Sequence, residues 1–206
     1  MNANFLLKGL LIGFAIAAPV GPIGMLCIQR TLNYGRRSGF ATGLGAATAD
    51  AAYGAVAAFG LTAISYFLLT GQTWLRIIGG AFLVYLGTRT LFSKAAPESN
   101  GRHISLLSDY FSSVFLTLAN PATIISFLAV FAGIGIGALA GSVALAVTMV
   151  AGVFFGSALW WLILTSGVGL LRSAMSASFL RIANIASGII LLAFAAYALI
   201  SASVGG

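Results

Sequence analysis

The chain has 206 residues, 60% of them hydrophobic and 6% charged, with a mean hydropathy of +1.08. Soluble domains carry roughly 25% charged residues, so the composition excludes a soluble enzyme or binding module and predicts an all-α integral membrane protein. The formal net charge of +7 does not indicate nucleic-acid binding, because the basic residues are scattered between apolar segments, where they determine membrane topology. The length is enough for about six membrane helices of roughly 20 residues with short loops.

The first apolar segment runs from about Phe5 to Ile28 and contains Pro19, Gly21 and Pro22. A proline removes a backbone donor and cannot continue an unbroken helix. Lipid tolerates a broken helix only where protein or a wet cavity covers it, so these three residues form a candidate substrate site. The alternative is a packing kink, since glycine and proline are common in membrane helices. We expect the segment to be retained, because its apolar run continues past the small residues that imitate a signal-peptide cleavage site.

A basic loop from Arg30 to Arg37 is predicted before the second segment, which runs from about Gly39 to Ala63. Small residues recur every three or four positions in this segment and form one stripe that includes Asp50. Such stripes let helices pack closely, so Asp50 is expected to face the bundle interior. An acid at this depth is costly, and we expect it to bind a substrate ammonium group or to carry the coupling proton. The structural alternative is an interhelical hydrogen bond, to Asn120 or to a serine.

Four further apolar segments follow, over about residues 73–92, 109–134, 143–171 and 179–202. A polar loop at 93–108 separates the third segment of the chain from the fourth. Asn120 and Pro121 interrupt the fourth segment of the chain, so both are candidates for the same site. Asp109 is expected in the first turn of its helix, where the helix dipole favours an acid. We interpret three tryptophans as interfacial anchors or packing residues, namely Trp74, Trp160 and Trp161.

Two internal features indicate a repeat. The sequence Trp74-Leu75-Arg76-Ile77 is echoed by Phe179-Leu180-Arg181-Ile182, and each half has a proline-interrupted first segment and a glycine-spaced second one. A repeat of three helices has an odd number of spans, so the second repeat crosses the membrane in the opposite orientation to the first. This is the inverted-repeat layout of secondary transporters, in which the binding site lies between interrupted helices at the membrane midplane. We therefore predict one transporter domain over 1–206, with repeats at about 5–92 and 109–202, a cytoplasmic loop at 93–108, and helices 1 and 4 broken near the midplane.

The distribution of charge predicts the orientation. The loops after segments one, three and five hold most of the basic residues, and the positive-inside rule places such loops in the cytoplasm. These residues are Arg30, Arg36, Arg37, Arg89, Lys94, Arg102, Arg172 and Arg181. Both termini are then outside, and we predict a multi-pass protein of the bacterial cytoplasmic membrane.

Several short motifs resemble the lysine-exporter (LysE/RhtB-type) family of amino-acid efflux proteins. They are Gly13, Pro19-Val20-Gly21-Pro22, Gly35-Arg36-Arg37-Ser38-Gly39, Gly43, Gly45, Ala49-Asp50 and Asn120-Pro121. The resemblance extends over the whole length in the number and size of the segments. It implies export of amino acids or related small metabolites, driven by the proton gradient. The residues predicted to bind substrate or couple protons are Pro19, Gly21, Pro22, Asp50, Asn120 and Pro121.

A membrane protein with this number of helices could also have one of two other functions. A membrane redox enzyme needs thiol pairs or haem ligands, which the single Cys27 and the single His103 do not supply, so no cofactor is expected. Cys27 is interpreted as a small packing residue. A metal-cation exporter of the same layout is the alternative, with Asp50 and Asn120 as a sparse oxygen site. The expected partners are a small-molecule substrate and membrane lipid, with no nucleic acid; a homodimer is left open.

Overall fold

The computed structural model describes residues 3–19, 21–59, 72–92, 105–120, 123, 127, 142–172 and 177–204. Within these ranges the chain forms seven α-helices and no strand. They are α1 (Ala3–Ala17), α2 (Pro22–Tyr34), α3 (Arg36–Ala58), α4 (Gln72–Leu91), α5 (Leu106–Leu118), α6 (Val143–Arg172) and α7 (Ala177–Val204). The prediction of an all-α protein is confirmed for this part of the chain.

The first apolar segment forms two helices, since α1 ends at Ala17 and α2 begins at Pro22, with a 79° bend between them. Proline fits the first position of a helix, where its missing N–H would have no partner anyway. The chain therefore leaves the helix where the sequence predicted. However, α2 continues past the predicted end of the segment at Ile28, as far as Tyr34.

Gly35 alone separates α2 from α3, and its φ is 94°. A residue with a side chain rarely adopts this backbone conformation, whereas glycine does so readily. The Gly35 N–H donates to the Thr31 carbonyl at 3.0 Å and closes the last turn of α2. The prediction of a basic loop from Arg30 to Arg37 is therefore wrong. Arg30 lies inside α2, and Arg36 opens α3 directly after the glycine.

Helix α5 begins at Leu106, inside the predicted loop, because the Ser105 side chain accepts a hydrogen bond from the Leu107 N–H at 3.3 Å and caps the helix. It ends at Leu118, just before Asn120. Several predicted stretches lie outside the described residues, namely 60–71, the loop at 93–104, Pro121 and most of 121–141.

Two helices are long and apolar enough to cross a membrane on their own, over Val143–Leu171 in α6 and Arg181–Ser203 in α7. The bent pair of α1 and α2 would be a third span, and α4 and α5 contain shorter apolar stretches. Helices of this length and composition make the chain a membrane protein. Among the described helices they support two or three spans, so the count of six stays a prediction.

Contacts at small residues show how the helices pack. Antiparallel α4 and α7 meet where Gly80 faces Leu199 and Gly188 faces Leu91. Parallel α1 and α6 come so close that a β-carbon on Gly13 would overlap the Val153 carbonyl. Helix α3 lies between α5 and α6, parallel to the first and antiparallel to the second, as successive contacts along each pair show.

Several basic residues lie at one end of this bundle. Asn33, near the end of α2, donates to Asn184 of α7 at 2.8 Å, and Leu91, at the end of α4, packs on the neighbouring Gly188. The end of α2, the start of α3, the end of α4 and the first part of α7 therefore meet. The exposed arginines at this end are Arg36, Arg37, Arg89 and Arg181, and we call it the basic end.

Candidate functional site

A cavity of about 340 Å³ lies inside the bundle. It is lined by the connection between α1 and α2 and by residues of all seven helices. Of the residues that the sequence predicted for a site, five line it, namely Pro19, Gly21, Pro22, Asp50 and Asn120. Pro121 lies outside the described residues. The structure thus brings the break in the first segment, the end of α5 and the acid of α3 to one place.

The N-terminus of α2 lies at the cavity. Gly21 is its N-cap and has no side chain to satisfy the first N–H groups, and the first helical bond runs from the Met25 N–H to the Gly21 carbonyl at 3.0 Å. The N–H groups of Ile23 and Gly24 therefore have no acceptor within the helix, and both residues line the cavity. Such a helix end carries a partial positive charge and favours an anionic group.

The C-terminus of α5 lies at the same cavity. The Ala119 N–H bonds to the Phe115 carbonyl at 2.9 Å and ends the helix, while Leu116, Thr117, Ala119 and Asn120 line the cavity. The last carbonyls of a helix carry a partial negative charge and favour a cation. The cavity therefore has a helix end of each polarity in its wall.

Asp50 is 3% exposed and lines the cavity from α3. Its carboxyl accepts a hydrogen bond from the Ser157 Oγ at 2.7 Å, and Ser157 accepts one from the Trp161 Nε1 at 3.1 Å. No basic side chain pairs with Asp50 in the part of the chain that the structure describes. The predicted orientation toward the interior is confirmed, and the serine named as a structural alternative exists as Ser157.

Small residues of α3 place Asp50 against α6. A β-carbon on Gly43 would overlap the Trp161 side chain, and one on Gly54 would lie 3.6 Å from Val153. Because α3 presents hydrogen atoms instead of side chains at these positions, its backbone approaches α6 closely. This approach lets the Asp50 carboxyl reach Ser157.

A second buried acid lies away from the cavity. Asp109 is 1% exposed and its Oδ1 is 3.2 Å from the Nε of Arg30, which is 6% exposed. Asp109 is in the first turn of α5, as predicted. However, the assignment of Arg30 to a loop is wrong, since it lies inside α2, and the sequence did not identify it as the partner of Asp109.

Two residues of the cavity wall and one that supports it were not predicted for the site. Trp161 is 4% exposed and lines the cavity, although it was interpreted as an anchor or packing residue; Trp74, by contrast, is exposed, as an anchor would be. Thr117, which lines the cavity, was not named, and Ser157, which donates to Asp50 from behind the wall, was noted only as part of a small-residue patch. The small-residue patch before Trp161 was visible in the sequence, but it did not show which acid faces it.

Comparison with known proteins identifies the family. The model of the LysE type translocator family matches residues 14–202. The chain belongs to the LysE type translocators. This translocator is 28% identical over 206 residues to the "Putative amino acid efflux protein YcgF" of Bacillus subtilis (strain 168), with 94% of each chain covered. It is also 28% identical over 108 residues to the "Uncharacterized membrane protein YahN" of Escherichia coli (strain K12), with 50% of this chain and 48% of that protein covered. No solved structure matches it significantly.

Membership confirms the resemblance that the motifs indicated and makes the chain a transporter. The alternative of a metal-cation exporter is not favoured, since the relative that spans the chain is named for amino acid efflux. Among the described residues, no three or more His, Cys, Asp or Glu side chains are grouped so as to hold a metal ion.

Proposed function

We propose that this LysE type translocator exports amino acids or related small zwitterionic metabolites across the cytoplasmic membrane. The observation that carries the proposal is the convergence of the α2 N-terminus, the α5 C-terminus and Asp50 on one cavity. A carboxylate fits the N–H groups of Ile23 and Gly24, while an ammonium group fits the last carbonyls of α5 and the Asp50 carboxyl.

The size of the cavity supports a small substrate. Small-molecule sites typically have volumes of roughly 300–1,000 Å³, and this cavity, at about 340 Å³, is near the lower limit. A zwitterion has no net charge to bury, so helix ends and a single acid are enough to hold it. The name of the Bacillus subtilis relative, which refers to amino acid efflux, points to the same class.

The helix pairings support two inverted three-helix repeats. In this layout α1 and α2 form span one, α3 span two and α4 span three, while α5 belongs to span four, α6 is span five and α7 is span six. Exchanging each span with its counterpart in the other half turns the pair α1–α6 into the pair α5–α3, and both pairs are parallel. The two helices of the antiparallel pair α3–α6 are counterparts in the two halves, as are those of α4–α7, so the exchange leaves both pairs unchanged. By the positive-inside rule the basic end faces the cytoplasm, which leaves both termini outside in a six-span chain.

Proton coupling through Asp50 completes the proposal. Asp50 lines the cavity without a basic partner among the described residues, so its charge is not neutralised by a neighbouring side chain. An acid buried in a membrane protein commonly belongs to a proton or ion pathway. Asp50 would release its proton to admit the substrate ammonium group and take up a proton when the substrate leaves.

Everted membrane vesicles test the function. Vesicles from cells that produce the protein should accumulate radiolabelled amino acids when respiration acidifies their lumen, and an uncoupler should abolish the accumulation. Profiling the growth medium of cells with and without the protein would identify the metabolite. Absence of amino acids from both readouts would refute the proposal. Resistance to cadmium, manganese or nickel without amino acid export would favour the metal-cation exporter instead.

A further inference from the structure

The hydroxyl of Thr117 lines the cavity without a hydrogen-bond partner. Thr117 is 3% exposed, and its Oγ1 contacts no donor or acceptor within the described part of the chain. Burying a hydroxyl that makes no hydrogen bond is costly. Such a group at a binding cavity therefore suggests that a ligand supplies the missing partner.

Other threonines of the bundle show how a helical threonine usually satisfies its hydroxyl. Six of them donate to the carbonyl four residues earlier, at 2.7–3.0 Å, which is the usual way a helical threonine satisfies its hydroxyl. These are Thr31, Thr42, Thr48, Thr88, Thr148 and Thr165. The Thr117 hydroxyl does not make this bond, although it lies in the same kind of helix.

We infer that the Thr117 hydroxyl accepts a hydrogen bond from the ammonium group of the substrate, beside the Asp50 carboxyl. This inference rests on the proposed function. Thr117 is in the last turn of α5, where the helix dipole favours a cation rather than an anion. The substrate carboxylate is directed to the other side of the cavity, at the N–H groups of Ile23 and Gly24.

The rest of the wall limits the side chain of the substrate. Asp50 is the only charged residue among the described residues that line the cavity, and the ammonium group occupies it. Ile16, Leu83 and Phe194 contribute apolar surface, against which a charged side chain would be buried without a partner. The substrate is therefore an amino acid with an uncharged side chain, such as leucine, rather than lysine or glutamate.

Transport by matched variants tests this inference in everted vesicles with radiolabelled leucine, lysine and glutamate. Thr117→Val removes the hydroxyl at nearly constant shape. Ser113→Ala is the control, since Ser113 is a buried, unpartnered hydroxyl one turn earlier that does not line the cavity. Neither change removes a hydrogen bond of the protein, so neither should lower the melting temperature.

The wild type should accumulate leucine in preference to lysine and glutamate. Thr117→Val should raise the KM for leucine by about tenfold or more, because a hydrogen bond to a charged group is lost, while Ser113→Ala should leave it unchanged. An unchanged KM in Thr117→Val, or a preference for lysine or glutamate, would overturn the inference but not the proposed function. Failure of the wild type to move any of the three would overturn both.

A second, independent observation concerns the buried cluster around Arg30 and Asp109. The Arg30 Nη1 donates to the Thr42 hydroxyl and to the Asp109 carbonyl, both at 3.0 Å, and its Nη2 donates to the Ser112 hydroxyl at 2.8 Å. The Ser38 hydroxyl donates to the Asp109 Oδ2 at 2.6 Å. The cluster thus ties α2 and α3, from one half of the chain, to α5 from the other.

The cluster lies between the cavity and the basic end. Arg30 follows the cavity residue Ile23 by seven positions in α2, and Asp109 precedes Leu116 by seven in α5, which corresponds to about 10 Å along each helix. Both displacements lead toward the basic end. A solute that moved from that end to the cavity along α2, α3 and α5 would pass between the helices that the cluster joins.

The geometry points to the cluster as the gate that closes the cavity toward the basic end. Leaving one charge of such a pair buried without its partner is strongly unfavourable. The cluster therefore favours two states, one fully paired and one in which the helices separate and water reaches both charges. Alternation between them would admit substrate from the basic end.

Cys27, the only cysteine of the chain, provides the test. It is 0% exposed, one turn from Arg30, and its thiol donates to the Gly39 carbonyl at 3.3 Å across the α2–α3 contact. A membrane-permeant maleimide should label it slowly in the wild type and several times faster in Asp109→Asn. Ser38→Ala, a milder variant, should raise the labelling rate less. Cys27→Ser verifies the labelled site.

Two controls separate gating from loss of structure. Gly13→Ala perturbs the remote α1–α6 contact and should leave the labelling rate of Cys27 unchanged. The exchanged pair Arg30→Asp with Asp109→Arg should slow labelling again relative to Asp109→Asn. Equal rates in the wild type, Asp109→Asn and Ser38→Ala would overturn the gate, as would equal acceleration by Gly13→Ala.

Discussion

The close contact of α1 with α6 gives a sharp prediction at Gly13. Substitution by alanine adds a β-carbon that would overlap the Val153 carbonyl and lie 2.9 Å from the Val153 Cα. All of these atoms are backbone, so no side chain can rotate away and the two helices must separate. Overpacking of this kind costs about 1–3 kcal/mol. For a chain of this size that corresponds to a melting temperature lower by roughly 2–12 °C.

A matched substitution in α6 isolates the steric cause. Gly167→Ala adds the same atom in a helix where nothing lies within 4 Å of it, so the melting temperature should be unchanged or slightly higher, since alanine favours helix over glycine. The assay is thermal unfolding of both purified variants in the same detergent. Equal melting temperatures for Gly13→Ala and Gly167→Ala would refute the parallel α1–α6 packing on which the arrangement of the cavity depends.

Two further predictions concern the cavity itself. Ser157→Ala removes the hydroxyl that donates to Asp50 at 2.7 Å and should cost about 1–3 kcal/mol, measured as a lower melting temperature, whereas the exposed Ser203→Ala should have no effect. Pro22→Ala should reduce export far more than it reduces the amount of protein in the membrane, because it changes the N-terminus of α2 while the surrounding packing holds the fold. Quantitative immunoblots measure the amount of protein and vesicle transport measures export. Equal proportional losses of both would contradict the prediction.

The features that the sequence predicted depend on local signals. Pro22 must begin a helix because of its own ring, and Asp50 is placed on the inner face by the small residues of its own helix. The same local reasoning predicted an interruption of the fourth segment at Asn120, and α5 ends at Leu118, just before it. These signals were enough to name five residues that line the cavity.

The features that it missed depend on which helices meet. Ser157 and Asp50 are 107 positions apart, and the Arg30 side chain bonds to the backbone of Asp109 across 79 positions. No periodicity in either segment specifies such a partner. Arg30 was assigned to a loop because an arginine after an apolar run usually ends a membrane span, and only the buried acid of α5 explains its place inside a helix.

Gradient-driven export by Asp50→Asn tests the central claim most directly. The substitution keeps the shape of the side chain and can still accept a hydrogen bond from Ser157, but it removes both the negative charge and the proton that Asp50 would carry. In everted vesicles with wild-type amounts of inserted protein, Asp50→Asn should fail to accumulate the amino acid that the wild type accumulates on energisation. Accumulation at the wild-type rate, with the same dependence on pH, would contradict the role of Asp50 in binding and coupling.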